Sequence, residues 1–219
     1  MITDDLAKVF QSKRLVYRAF ENDEKDRDFL YSFTENDPVN SALSNLSMIK
    51  PRSRANAEWV AENLAKSTLA VMIYLLPPPS SFFDPSNAKG VHMWAEVLSS
   101  QPQPIGYVVL GWAGDPPASQ AQHRSIGIGI SLAADYQGQG YGGEALNWAL
   151  DWAFRFGGYH RVELSTVAYN ERALRLYRRL GFVDEGRSRK AHWHDRQWHD
   201  KVHFGMLEEE WEALRGLGT

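Results

Sequence analysis

The chain has 219 residues, a formal net charge of −3 and 43% apolar residues, enough for one hydrophobic core and too little positive charge to point to a nucleic-acid partner. The absence of cysteine excludes a disulfide framework, a thiolate metal site and a cysteine nucleophile. No stretch approaches the roughly 18 to 20 apolar residues of a membrane span. Met1-Ile2-Thr3-Asp4-Asp5 opens on acids instead of the basic start of a signal peptide, so a cytoplasmic or nuclear setting and a single domain over residues 1–219 are the expectations.

In chain order, the pattern predicts a strand over residues 14–20, then a helix over 25–33 with Phe29, Leu30 and Phe33 on one face. The stretch from Thr34 to Asn40, which contains Asp37-Pro38, reads as a break. Ser53 is placed to cap a helix that runs through Lys66 with an apolar stripe of Ala57, Val60, Ala61 and Leu64. A strand over 69–76 ends at Pro77-Pro78-Pro79, and residues 77–104 read as an insertion in a hairpin whose second strand is 105–112. Within the insertion, residues 92–98 suit a short element.

After a turn at Asp115-Pro116-Pro117 comes a strand through Ile126 and Leu132, where Gly127 and Gly129 suggest a bulge. A helix over 142–156 follows, stopped by Gly157-Gly158, then a strand over 161–167 and a helix over 170–180 ended by Gly181. Two strands around a turn near Asp195 and a short closing helix over 208–214 complete an α/β (α+β) pattern, antiparallel first and βαβ later.

Gln137-Gly138-Gln139-Gly140-Tyr141-Gly142-Gly143 sits at the junction between strand 126–132 and the helix after it, nearly free of bulky side chains. Unpaired amides of a helix's first turn, the helix dipole and missing Cβ atoms together suit a phosphate. Gly138, Gly140 and Gly143 satisfy G-x-G-x-x-G, with Glu163 where a dinucleotide-binding fold keeps its ribose-binding acid. Against an NAD enzyme, Ala133 to Gln137 intervene between strand and glycines, and too little chain remains after Glu163 for the other half of such a sheet.

The second reading rests on two motifs in order. Gln137-x-x-Gly140-x-Gly142 resembles the pyrophosphate loop of the GNAT acetyltransferase superfamily, and Asn170-x-x-Ala173-x-x-Leu176-Tyr177-x-x-x-Gly181-Phe182 resembles the family helix that lines the far side of the cofactor. Asp135 to Gly140, Asn36-Asp37-Pro38-Val39, Glu185-Gly186 and Asp200 resemble the branch that includes polyamine and ribosomal-protein N-terminal acetyltransferases. The resemblance implies the acyl-CoA N-acyltransferase fold, a mixed central sheet splayed at the cofactor site with flanking helices. It also implies acetyl-CoA as co-substrate and transfer of the acetyl group to a primary amine, either a small amine such as a polyamine or a protein N-terminus. A homodimer through the strand edge near the C-terminal hairpin fits relatives of this kind.

Carried over residue by residue, the resemblance gives the amides of Gln137, Gly138, Gln139, Gly140, Tyr141, Gly142 and Gly143 to the pyrophosphate and the strand at Ile130, Ser131 and Leu132 to the pantetheine arm. Asn170 and Ala173 line the arm as well, although Asn170 equally suits a helix N-cap. Tyr177 is the general acid, since a phenol with a reference pKa near 10 stays protonated at neutral pH and protonates a departing thiolate; a core tyrosine would occupy the same helical stripe. Relatives carry a glutamate base where this chain has Gly127, so the base is open: Glu35 and Asp37 are placed to steer an ammonium group, and Ser125, Glu163 or an ordered water are weaker options. The loss of that glutamate also motivates an alternative, a CoA-binding sensor or interaction module without catalysis.

His192, His194, Asp195, His199, Asp200 and His203 tempt a metal reading, yet His192-Trp193-His194 reads as an exposed polar face opposite a packed Trp193, and no metal is assigned. Arg172, Arg175, Arg178 and Arg179 form a basic helix face, with one or two placed to meet the 3′-phosphate of CoA. Trp94, Trp112, Trp148, Trp152, Trp193 and Trp198 divide between core packing and an acceptor pocket in a way the sequence leaves open.

Overall fold

The computed structural model describes residues 6–44, 47–76 and 104–217, so the insertion over 77–103, with its element over 92–98 and Trp94, lies outside the described residues. One seven-stranded sheet organises them, in the order β1-β2-β3-β4-β5-β7-β6. Strands β1 (Leu15–Ala19), β2 (Leu69–Leu75), β3 (Gly106–Leu110) and β4 (Ser125–Leu132) pair antiparallel in sequence, as do β5 (Arg161–Val167), β7 (Gln197–Leu207) and β6 (Val183–His194). The two groups meet in the sheet's parallel contact, between β4 and β5.

Helix α1 (Glu24–Phe29) runs on into a π-helical turn, Leu30–Glu35, which Thr34 closes by donating its hydroxyl to the Leu30 carbonyl at 2.7 Å. Where the sequence suggested only a break, helix α2 (Pro38–Ser44) forms. Asp37 Oδ1 accepts from Val39 N at 2.9 Å and Asn40 N at 3.1 Å, and Pro38 stands at the first helical position, where its missing N–H costs nothing. Helix α3 (Arg54–Ala65) starts at Ser53, whose side chain accepts from Asn56 N as expected.

Helix α4 (Tyr141–Arg155) covers one face of the sheet, which we call the rear. Its Leu146, Ala149, Leu150 and Ala153 are buried against Ile73, Val108, Ile126 and Val162 of the strands. Trp148 is core in part: it stacks on Tyr17 at 3.8 Å and donates its indole N–H to the Val9 carbonyl. On the front face α3 packs Ala57, Val60, Ala61 and Leu64 against Leu30 and Val109. Helices α5 (Glu171–Leu180) and α6 (Glu208–Arg215) complete the C-terminal half.

Candidate functional site

The sheet opens between β4 and β5. Their parallel register holds at three positions, Ser125↔Arg161, Ile126↔Val162 and Gly127↔Glu163, and then stops, while β5 continues to pair with β7 as far as Val167↔Lys201. Gly127 O accepts from Gly111 N and Ala133 N donates to Ile105 O, so by strand alternation the main-chain groups of residues 127, 129, 131 and 133 turn toward β3. Those of Ile128, Ile130 and Leu132 turn into the gap. Among the residues expected on the pantetheine arm, Ile130 and Leu132 therefore present their backbone to the splay. Ser131 pairs with Tyr107 of β3 and accepts no such place; its hydroxyl donates to Asn40 Oδ1 of α2 at 3.1 Å.

The bulge expected at Gly127 and Gly129 is absent, because the pairing of β4 with β3 runs without a shift from Leu132 to Ile128. These glycines serve space instead. A Cβ on Gly127 would meet nothing within 4 Å, and one on Gly129 would come within 3.2 Å of Val109 Cγ1.

Behind the splay lies the glycine loop. Gly138 and Gly140 take left-handed conformations, at φ 77° and 86°, that other residues adopt only under strain, and Gly140 is the N-cap of α4. It offers no side-chain cap, so the first-turn amides of α4 keep their donors for another acceptor. Open space around the Gly138 position admits a group up to the backbone. Gln137 is spent on structure: its Nε2 donates to the Leu132 carbonyl at 2.8 Å and its Oε1 accepts from Arg172 at 2.5 Å. Gln139 likewise donates to the Asp135 carbonyl at 2.6 Å.

Sequence reasoning missed the clasp on this loop. Glu144, in the first turn of α4, accepts from Arg14 N at 2.6 Å, Arg14 Nε at 2.7 Å and Ser12 Oγ at 2.7 Å, while Arg14 Nη1 donates to the Gln139 carbonyl at 3.0 Å and its guanidinium lies 4.5 Å over the Tyr141 ring. Burial pushes the Glu144 carboxyl up, but the Ser12 and Arg14 hydrogen bonds outweigh it and hold the group below the usual carboxylate range. A negative charge at a helix N-terminus is itself favourable.

Asn170 caps α5 with Oδ1 on Ala173 N at 3.1 Å, and its Nδ2 donates to the Leu43 carbonyl at 3.2 Å; beside it Tyr169 donates to the Ala42 carbonyl at 2.6 Å. With Asn40 held by Ser131, these bonds tie α2 to both edges of the splay. Tyr177 projects from α5 with its ring edge-on to Phe204 at 5.7 Å and Phe182 at 6.1 Å. Burial raises its phenol to about 12, and its hydroxyl has no hydrogen-bond partner among the described residues. Of the basic face, Arg172 is bound to Gln137, Arg175 to Glu171 and Arg178 to Asp184.

In front of the splay a cavity of about 770 Å³ reaches from α3 to β7. Its floor is Gly127 and Gly129, and its wall toward α3 is Trp59, Val60, Val109 and Trp112. Glu35 enters from the π-helical turn, half-buried, with Oε2 accepting from Asn56 Nδ2 at 2.6 Å. Burial raises its pKa above the ordinary carboxylate value against the opposing pull of Arg52 and Asn56. Asp37 is not brought here, since its carboxylate caps α2. At the far end Arg161 joins Glu185 in a two-pronged ion pair and reaches Glu163 at 3.2 Å.

The hairpin tip reverses the expected faces. His192 is 7% exposed and packs with His194 and His199 around the Tyr169 ring, whereas Trp193 is 54% exposed and meets Trp198 edge-on at 5.2 Å. Burial first, then the neighbouring imidazoles, lowers the His192 pKa. No cluster of metal-binding side chains occurs among the described residues. Nor is any helix there long and apolar enough to cross a membrane.

A splayed mixed sheet with a glycine loop at the mouth of α4 frames the site, and the sequence names the family. The chain belongs to the acetyltransferase (GNAT) family, whose model matches residues 62–182. It is 38% identical over 64 residues to a spermidine N(1)-acetyltransferase of Vibrio cholerae, covering 29% of this chain and 37% of that protein. It is 28% identical over 107 residues to the [ribosomal protein uS5]-alanine N-acetyltransferase of Escherichia coli, covering 49% and 55%. The chain thus spans about half or less of the length of these curated relatives. Among solved structures, spermidine N-acetyltransferase from Vibrio cholerae in complex with CoA and spermine superposes with a TM-score of 0.66 over 91% of this chain and 99% of that one, at 19% identity, a likeness of fold.

Proposed function

We propose that the protein is an N-acetyltransferase that moves the acetyl group of acetyl-CoA directly to a primary amine. The observation that carries the reading is the splay: a strand edge that loses its β5 partner beyond Gly127 and turns the main-chain groups of Ile130 into the gap, a glycine loop with open amides behind it, and a cavity in front whose floor is the same strand. Names of similar proteins, a spermidine acetyltransferase and an acetyltransferase of a ribosomal-protein alanine, suggest a small amine or a protein N-terminus as acceptor.

Acetyl-CoA supplies an activated thioester. The amides of Gly138 to Gly143 hold its pyrophosphate without a side-chain charge, and the Ile128 carbonyl and the main chain of Ile130 pair with the pantetheine arm as an added strand. Glu35, made more basic than an exposed carboxylate by burial, takes one proton from the entering ammonium group. The nitrogen then forms its bond to the acetyl carbon as the C–S bond breaks. Tyr177 gives its proton to the sulfur, the second amine proton restores the phenol, and the proton on Glu35 leaves to water. A phenol held near 12 never ionises spontaneously at neutral pH, so Tyr177 stays loaded as an acid.

Free-thiol release from acetyl-CoA in the presence of an amine panel tests the activity. Tyr177→Phe is expected to leave acetyl-CoA affinity unchanged by calorimetry and to lower kcat by about 10²-fold or more, the range of lost general-acid catalysis. Unchanged kcat removes Tyr177 from the chemistry, and failure of the wild type to bind acetyl-CoA removes the whole reading.

A further inference from the structure

The front cavity contains a charge arrangement that simple amine binding leaves unexplained. Glu35 and Arg52 line it together, and Arg52 is close enough to lower the Glu35 pKa, yet the two make no direct ion pair. Asn56 stands between them, giving Nδ2 to Glu35 Oε2 at 2.6 Å while its Oδ1 lies 3.4 Å from Arg52 Nη1. The guanidinium is poorly used: its Nη2 lies 3.4 Å from the Met48 carbonyl, and its Nε is buried with no hydrogen-bond partner. The Nη atoms, held only at 3.4 Å, are the donors left to a group in the cavity.

A carboxylate and a guanidinium held apart, both opening on one cavity, are complementary to a ligand that carries an ammonium group next to a carboxylate. The fork of Arg52 matches a carboxylate in two-pronged geometry, and Glu35 matches the ammonium. The wall beside them is apolar: Trp59 and Trp112 lie 6.3 Å apart between ring centres, Trp59 is 57% exposed, and Val60 and Val109 continue the surface. Gly127 and Gly129 leave the floor open under that wall.

We infer that the acceptor is a free α-amino acid with a large apolar or aromatic side chain, its ammonium on Glu35, its carboxylate on Arg52 and its side chain against Trp59 and Trp112. This rests on the acetyltransferase reading. The cavity also carries Asp115, Glu163 and Glu185 beside Arg161 and Lys201, so a linear polyamine is the competing occupant, set apart by the carboxylate that only the amino acid offers Arg52. A peptide N-terminus offers Arg52 a neutral carbonyl where the free acid offers a charge and a second oxygen, so the two-pronged pair is lost.

The test uses the whole chain with acetyl-CoA and compares L-phenylalanine, phenethylamine, L-alanine, spermidine and an alanine-led peptide, by thiol release and by calorimetry on the CoA complex. L-Phenylalanine is expected to bind about 10-fold or more tightly than phenethylamine, which lacks the carboxylate, and about 10-fold more tightly than L-alanine, which lacks the ring. Arg52→Ala and Arg52→Lys are both expected to erase the preference over phenethylamine, the lysine variant guarding against a folding defect, and Trp59→Ala the preference over L-alanine. Phenethylamine binding as well as L-phenylalanine overturns the inference, as does spermidine or the peptide binding best. Because binding is read separately from thiol release, L-phenylalanine binding without turnover of any amine upholds the amino-acid site and rejects the acetyltransferase reading, whereas turnover of spermidine alone upholds that reading and overturns the inference.

Discussion

The rear of the splay is made of backbone and the front is made of side chains. Behind β4, Gly138, Gly140 and the first turn of α4 present amides, and the nearby polar side chains Gln137, Gln139, Arg14 and Glu144 are engaged with one another or with the loop. In front, Glu35, Arg52 and Tyr107 converge from separate parts of the chain, and Arg52 keeps a buried donor unpartnered. A surface built of main-chain donors recognises a phosphate whatever else the ligand carries, so it serves a co-substrate common to many reactions. A surface built of side chains changes with single substitutions, and on the proposed reading that is where the acceptor is selected.

The comparison breaks most visibly at Glu35. Glu35→Gln keeps the shape and the bond to Asn56 but removes the base, and kcat/KM for the amine is expected to fall by about 10²-fold. Since the Glu35 pKa is raised, the acid limb of the wild-type kcat/KM profile should lie above the ordinary carboxylate range, and that limb should vanish in the variant. A profile whose acid limb is identical in both proteins assigns the base elsewhere. Acetyl-CoA affinity should not move, because the rear is untouched.

Gly140→Val attacks the other side. A side chain at φ 86° costs roughly 1–2 kcal/mol of strain, and its Cβ would come within 3.2 Å of Arg14 Nη2. Acetyl-CoA affinity is expected to drop about 10-fold or more by calorimetry, with thermal melting as the check that α4 survives. Wild-type affinity in the variant means the loop does not hold the phosphates.

A smaller effect is expected at the clasp. Glu144→Gln should lower stability by about 1–2 kcal/mol, less than a fully buried pair because Arg14 is partly exposed. The sign in pH follows from the lowered pKa: the contribution of Glu144 is present above the carboxylate value of the unfolded chain and is lost as pH falls through the lower folded value. The difference in melting temperature between wild type and variant should therefore shrink on acidification. A difference that grows as the pH falls contradicts the clasp.

This contrast also explains what the sequence made legible. The loop was readable because a left-handed backbone writes itself as glycine, and the βαβ order around it because α4 and β5 have clean periods. Helix α2 was missed because Pro38 was taken as a breaker when, after Asp37, it marks a start. The Arg14–Glu144 clasp joins residues 130 apart, a pairing no local pattern carries. At the hairpin tip, alternation puts His192 and Trp193 on opposite faces but does not say which face is covered; Tyr169, from the β5–α5 loop, decides it. The front cavity was legible in Glu35, Glu163 and Trp112 but not in Arg52, Asn56 and Trp59, which are ordinary surface types until α3 lies over β3 and β4.

The finest test concerns the floor between the two sides. Gly127 has an ordinary backbone conformation, lies at the last position where β4 and β5 still pair, and would place a Cβ in open space. In a strand, alanine there removes backbone freedom from the unfolded chain, so Gly127→Ala is expected to raise stability by roughly 0.5–1 kcal/mol. The same methyl group stands up into the cavity where the amine must cross to the thioester. Acceptor KM should rise a few-fold while acetyl-CoA affinity holds. Gly129→Ala is the matched control, because its Cβ meets Val109 Cγ1 at 3.2 Å and its gain in stability should be smaller or reversed. Loss of stability in Gly127→Ala means the strand needs the glycine for its own sake. Equal acceptor KM in variant and wild type means the amine does not approach across β4, and the front cavity would then lose its claim to the acceptor.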